Sequence, residues 1–305
     1  MLLPARPSGW HQSAMTKDAG IAAALDALNA RLQARARLRV WSLVITVFGD
    51  AVAPRGGRVA LVVLQEIVGR LGVEAGAVRT AMSRLASDGW VERERQGRNS
   101  FFSLGRHGRH AFDLATRRIY AGGAPGWDGG WTVAFVPPGV ANADTAELEA
   151  LGFVKAAQGV FLRPETAGAP DASAALSGLF VVRGASADHP QTLHALWPSQ
   201  ETAAAYRAFA AAFSPLHAAL AAGARPLPLD AIAARTLLIH EWRRIVLRDP
   251  GLPERLLPRD WPGADARALA HGIYRALAGP SEAWLDAAGL PPLIDMGSFA
   301  RRWEN

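Results

Sequence analysis

Arg79, Thr80, Ser83 and Arg84 lie in one short stretch and carry between them two guanidinium forks and two hydroxyls. Such groups donate to phosphate oxygens and to the edges of bases. Val78, Met82 and Leu85 are interleaved with them at spacings of four and three, which puts the apolar three on one face of an α-helix. The polar four then fall on the other faces, free for solvent or a ligand. Further along, Arg95, Arg98 and Asn99 surround Gly97, and a turn there would carry them to a tip that reaches a phosphate or a minor groove. Arg55 and Arg58 bracket Gly56-Gly57, a turn that brings either arginine to a DNA backbone at a helix start. This glycine pair is not a nucleotide-binding loop, because no Lys-Ser or Lys-Thr follows it.

The elements that must position these groups are legible around them. The run from Val59 to Leu71 predicts a supporting helix, Gly72 breaks the chain, and Glu74 opens the next helix with an acid in its first turn. Asp88-Gly89 ends that helix. Two short helices with a glycine between them match a helix-turn-helix. Trp90 to Arg95 then alternates as a strand, Gln96-Gly97-Arg98-Asn99 predicts a hairpin turn with positive φ tolerated at Gly97 and Asn99, and Ser100 to Leu104 returns. The whole reads as a winged helix-turn-helix, a unit that reads duplex DNA. An amphipathic helix and a hairpin that merely pack on a core would explain any single solvated arginine equally well, but not the ordered set. Charge agrees: between Arg31 and Arg118 sixteen arginines face seven acids, a net of +9 in a chain whose total is +6. Positive charge concentrated on the proposed reading unit is the electrostatic footprint of phosphate contacts.

Composition sets the bounds. A chain of 305 residues, 50% hydrophobic, buries a sizeable core in two or three domains. With no cysteine, disulfides, thiolate metal sites and a cysteine nucleophile are excluded, in keeping with a cytoplasmic protein. No apolar run reaches the ~18 residues of a membrane span, and residues 1–16 lack the order of a signal peptide. They read as a loose tail, with translation from Met15 an open alternative to Met1.

Residues 1–30 are expected to be a tail or extension, with 19–30 helix-prone, and 31–121 the DNA-binding domain. Within it, 36–49 is a core helix or a long apolar element, 50–57 a turn, 58–71 a helix and 106–121 a basic closing helix. GGAPGWDGG at 122–130 marks a boundary. From 127 to 190 follow a strand (131–137), a helix (142–152), a hairpin (152–164) and a further strand (176–184), which suggests a small ferredoxin-like α+β domain. Residues 191–305 read as mostly helical, with helices at 202–222, 229–247, 264–277 and 282–287 and a proline-rich loop at 249–263. The fold class is therefore α+β and multidomain.

Five blocks in order carry a resemblance: FGDAVAPRGG (48–57), AVRTAMSRLASDGWVERERQGRNSFFSL (77–104), ATRRIY (115–120), GVFLRP (159–164) and HEWRRIVLRDPGLPERLLPRDWPG (240–263). They resemble the PaaX family of bacterial transcriptional repressors from about residue 36 to about 287. The resemblance implies a winged helix, a central ferredoxin-like domain and a helical C-terminal domain for dimerisation or effector binding. It implies a homodimer on double-stranded operator DNA that represses phenylacetate or related aromatic catabolism. It further implies release by an aryl-CoA thioester such as phenylacetyl-CoA.

His240, Arg243, Arg244 and Arg248 form a candidate effector site. His240 and Arg244 share a helix face that Arg248 continues, and guanidinium forks suit CoA phosphates. The competing reading pairs Arg244 and Arg248 internally with Glu241, Asp249 or Glu254. Trp242, Trp261 and Trp284 are expected in the core rather than around a pocket. The scattered histidines support no triad and no metal site, and no cofactor is expected. The resemblance also implies that the central domain is similar to the CRISPR-associated ribonuclease fold, whose nucleases hold a metal on an acid at the end of the first strand, whereas here that strand ends Val136-Pro137-Pro138. The expectation is a DNA-binding repressor and not an enzyme. An activator, or an enzyme acting on CoA thioesters or nucleic acid, stands as the alternative.

Overall fold

The computed structural model describes residues 9–35, 39–137, 145–186, 191–197 and 200–304. The expected tail at 1–8 and the first residues of the helices expected from 36 and from 142 lie outside these. The protein is α+β, built of helices and two antiparallel sheets, one of three strands and one of four. It divides into two compact units: residues 1–122, 207–244 and 265–305 form one, and residues 123–206 and 245–264 the other.

The first unit starts with α1 (Gly9–Arg35), which is helical through the segment expected to be loose and buries Ile21, Leu25, Leu28 and Leu32. α2 (Val40–Val47) follows, and its chain winds on through a π-helical turn, Phe48–Val52, and a 3-10 turn, Ala53–Arg55. Gly56 ends this run at φ 90°, a left-handed conformation that favours glycine. Arg58–Ala60, expected as the start of a helix, is instead strand β1, with Val59 buried opposite Phe102. β-branched Val59 suits a pleated, half-buried surface. α3 (Leu61–Gly69), a turn with Gly72 at φ 81°, and α4 (Ala75–Ser87) come next. β2 (Val91–Gln96) and β3 (Asn99–Leu104) form a hairpin, and β1 completes the sheet in the order β1-β3-β2. α5 (Arg106–Ile119) closes the segment.

The same unit holds most of α7 (Gln200–Ala221), of α8 (Pro228–Val246) and of α9 (Gly263–Ala287), with a short α10 (Met296–Ala300). α8 is the core helix of this unit: every residue from Asp230 to His240 is buried. A helix buried all round belongs inside a protein. α9 runs unbroken through Pro280, where two helices were expected. A proline removes one backbone donor and crowds the preceding turn. Leu277 before it and Leu285 after it are both fully buried, and continuing the helix keeps both in the core.

In the second unit β4 (Gly130–Phe135), α6 (Thr145–Ala150), β5 (Val154–Ala157), β6 (Val160–Pro164) and β7 (Phe180–Ala185) form a sheet ordered β5-β6-β4-β7, each neighbour antiparallel. Residues 165–179, between β6 and β7, are turns rather than a second crossing helix. One face packs Ala134 and Phe161 with Leu148 of α6. The other packs Trp131 with Trp197 and with Leu252 and Leu256 of the proline-rich loop. No helix among the described residues is long and apolar enough to cross a membrane.

Candidate nucleic-acid interface

α4 has two sides. Val78, Ala81, Met82 and Leu85 are buried, while Arg79, Thr80, Ser83 and Arg84 are all exposed. The apolar spacing of four and three places the polar residues outward, as the helical period requires. Arg79 and Arg84 form no hydrogen bond or ion pair with a described residue. Thr80 Oγ1 donates to the Gly76 carbonyl at 3.1 Å, a bond a hydroxyl exchanges easily. α4 is held from behind by α2 and α3 and runs into β2. Its end turns on Gly89 at φ 71°.

The hairpin stands beside this helix. Gln96 pairs with Asn99, so Gly97 and Arg98 are the two residues of the turn. Gly97 takes φ 61°, and Asn99 is an ordinary strand residue. Glycine with positive φ at the first central position is the two-residue hairpin geometry that matches strand twist. Arg98 is exposed at the tip, and Arg95 is exposed beside it with Nε donating to the Gly97 carbonyl at 3.4 Å. Arg58 is 41% exposed. Its guanidinium lies over the Phe101 ring and pairs with Glu94 at 3.1 Å, on the face of the sheet that also carries Gln96.

Arg55 must be corrected as a backbone contact. Its side chain is 2% exposed. Nε and Nη2 both donate to Glu282 Oε2, at 3.0 and 2.6 Å, and Nη1 donates to Asp286 at 2.7 Å and to the Pro291 carbonyl at 2.8 Å. A guanidinium desolvated and satisfied in this way has nothing left for a phosphate.

Arg55 belongs to a buried polar network that the site reading missed. Asp50, 2% exposed, accepts from Arg235 Nε at 2.6 Å, Tyr120 Oη at 2.5 Å, Tyr274 Oη at 3.0 Å and Arg302 Nη1 at 3.2 Å. Arg235 also pairs with Glu282 at 2.5 Å. Burial by itself would raise the Asp50 carboxyl, but Arg235 and Arg302 outweigh it and hold the group below its usual range. Burial pushes Tyr274 up to about 12. The signal was in the sequence: Asp50 and Arg235 each interrupt an apolar run, and a charge there has to be paired.

Of the candidate effector residues, His240, Arg243 and Arg244 lie on α8 and Arg248 lies beyond its end. His240 is 2% exposed, with Nδ1 3.4 Å from Thr46 Oγ1. Burial, then Arg243 and Arg244, lower its pKa to about 3, so it is neutral at pH 7. It faces the core, and its assignment as a ligand contact is corrected. Arg244 is exposed and pairs with Glu241 at 3.0 Å, the internal pairing weighed against effector binding. Arg248 is exposed. Asp249, a second of the three candidate partners, accepts from Tyr206 Oη at 2.6 Å. Arg243 reaches α2, where Nη2 donates to the Ser42 carbonyl at 3.1 Å and to Ser42 Oγ at 2.5 Å. Trp242 is fully buried, and its indole donates to the Ile119 carbonyl at 2.8 Å. Among the described residues no three His, Asp or Glu side chains gather as a metal site would require.

Comparison with known proteins bears on the same segments. Residues 39–108 match the family model described as PaaX-like protein, and residues 197–287 match the PaaX-like protein C-terminal domain. The chain is 32% identical over 264 residues to the transcriptional repressor PaaX of Escherichia coli (strain K12), covering 81% of this chain and 83% of that protein. Among solved structures, the uncharacterized protein Rv0674 from Mycobacterium tuberculosis is similar, with a TM-score of 0.50 and 21% identity over 74% of this chain and 90% of that one. The last of these speaks to the fold alone.

Proposed function

Because the chain belongs to the PaaX family of transcriptional regulators, we propose that it is a ligand-released repressor that reads its operator through α4 and the β2–β3 hairpin. The observation that carries this is the outward quartet Arg79, Thr80, Ser83 and Arg84, exposed along a helix whose opposite face is buried. In this reading α3 and α4 are a helix-turn-helix, β2–β3 is its wing, and the four-stranded sheet, in the order β5-β6-β4-β7, is ferredoxin-like. Arg79 and Arg84 contact base edges in the major groove, with Thr80 and Ser83 beside them. Arg95, Arg98 and Asn99 serve the wing, and Arg58 a phosphate. Two copies related by a two-fold axis engage half-sites about 34 Å apart or a multiple of it.

The regulated genes are those of phenylacetate or related aromatic-acid breakdown, and the releasing ligand is an aryl-CoA thioester. A gel shift with the DNA upstream of the protein's own and neighbouring genes, repeated with a panel of acyl-CoA compounds, tests this. The expected result is a specific shift abolished by one thioester that is recovered chemically unchanged. Failure to shift any of that DNA, or turnover of the thioester, overturns it.

A further inference from the structure

Among the described residues, Arg55, Arg163, Arg235 and Arg302 are withdrawn from solvent against carboxylates, whereas the partly buried Arg243 is not. Arg55 holds Glu282 and Asp286, Arg163 holds Glu165, and Arg235 and Arg302 hold Asp50. Arg243 has no carboxylate among the described residues. Its Nη2 is spent on the carbonyl and hydroxyl of Ser42, and its Nε–H is buried with no partner among the described residues. An edge-on guanidinium takes a carboxylate or phosphate through Nε and Nη2 together. Arg55 shows that arrangement filled, with both atoms on one oxygen of Glu282. At Arg243 the same edge lacks its anion. Burial, together with Arg244, pulls the Arg243 pKa down to about 10, the expected sign for a desolvated cation that lacks compensation. Nearby His240 is neutral, Arg39 is exposed at the start of α2, and Glu241 is engaged with Arg244.

The place of this arginine gives the gap a consequence. Ser42 lies on α2, and its carbonyl also accepts from Thr46 Oγ1 at 2.9 Å. The Arg243–Ser42 and His240–Thr46 contacts are therefore pins between α8 and α2. α2 in turn packs on α4. We propose that Arg243 is the anchor of an anion site between α8 and α2, taking a carboxylate or phosphate group of a small ligand. The ligand competes with Ser42 for the guanidinium, loosens the pin, and shifts α2 beneath α4. The anion site stands on the Arg243 geometry, whereas its link to DNA release rests on the function proposed above.

Isothermal titration of the full-length protein with two probes separates the sources of the anion. Phenylacetate offers a carboxylate without phosphate, and coenzyme A offers phosphates without that carboxylate. Wild type is expected to bind at least one, and the one bound identifies the group. Arg243→Gln is expected to weaken that binding about tenfold or more. Arg244→Gln, which removes an exposed arginine already paired to Glu241, is expected to change it far less. Thermal stability supplies the second readout: Arg243→Gln should lower Tm much less than Arg235→Gln, because no carboxylate is orphaned. Three results would overturn the site: neither probe binds wild type, Arg243→Gln binds as wild type does, or Arg243→Gln unfolds as readily as Arg235→Gln. Anion binding without operator binding would leave the site standing and remove the proposed function. Operator binding without anion binding would do the reverse.

Discussion

At the scale of single residues, exposure separates arginines that look alike in the sequence. Arg79 and Arg84 form no hydrogen bond or ion pair with a described residue, so replacing them removes the proposed DNA contacts and little else. The double change Arg79→Ala, Arg84→Ala is expected to leave Tm unchanged and to cost operator binding about 1–3 kcal/mol per base-reading arginine. A gel shift checks it, and undiminished binding would show that α4 does not read bases. Arg55→Ala behaves oppositely. It leaves Glu282 and Asp286 short of their partner and should cost on the order of 3 kcal/mol in denaturant unfolding. His240 adds a pH effect. Its ordinary pKa of 6.5 is lowered to about 3 in the fold, so between these values the unfolded chain takes up a proton that the folded one refuses. Stability is therefore complete above pH 6.5 and falls by about 1.4 kcal/mol per unit as pH drops below it. His240→Leu should flatten that part of the stability curve, and an unchanged slope would assign it to other groups.

At the scale of elements, much of the reading unit was legible. The four-and-three spacing located α4, the alternation after Asp88-Gly89 located β2, and Gly97 located the turn. These are local properties of the chain, set by helical and strand periods and by positive φ. β1 was not legible, because Arg58–Ala60 becomes a strand through pairing with β3 some forty positions away. The unity of α9 was hidden by Pro280 for a similar reason: burial of its two ends overrides a local breaker. Two glycines hold the back of the hairpin. A Cβ on Gly108 would lie 2.5 Å from the Trp90 carbonyl oxygen, and one on Gly105 would fall on the carbonyl of Gly89. Gly105→Ala is thus expected to destabilise the first unit by about 1–3 kcal/mol, an overpacking cost that thermal unfolding reads directly. At the hairpin tip, Arg98→Ala should weaken all DNA sequences alike and reduce the salt slope of binding by about one, with no loss of stability.

At the scale of the whole molecule, the first unit ties its C-terminal segment to residues far back in the chain. Arg302 reaches the Asp50 carboxylate, and Trp303 donates its backbone N–H to Tyr120 while packing against Tyr120, Tyr274 and Trp242. Trp303 does so at φ 74°, a conformation costly for a bulky side chain and held here by its burial. Removing residues 295–305 takes away a buried cation and a buried indole together. The expected loss is on the order of 3 kcal/mol or more, seen as a lower Tm of the full chain less its tail. Retention of the parental Tm would show the tail to be dispensable.

By itself the sequence determined the regular elements around the candidate interface, the concentration of arginine there, and the family to which the chain belongs. Each of these rests on neighbours within a few turns, or on a count. The tertiary structure decided which arginines face outward and which are spent inside. Asp50 and Arg235 are 185 positions apart, Arg55 and Asp286 are 231 apart, and Asp50 and Arg302 are 252 apart. No periodicity spans such distances. A guanidinium exposed on α4 and one buried beside α9 have the same local chemistry, and the folded chain alone sets whether a carboxylate lies within reach.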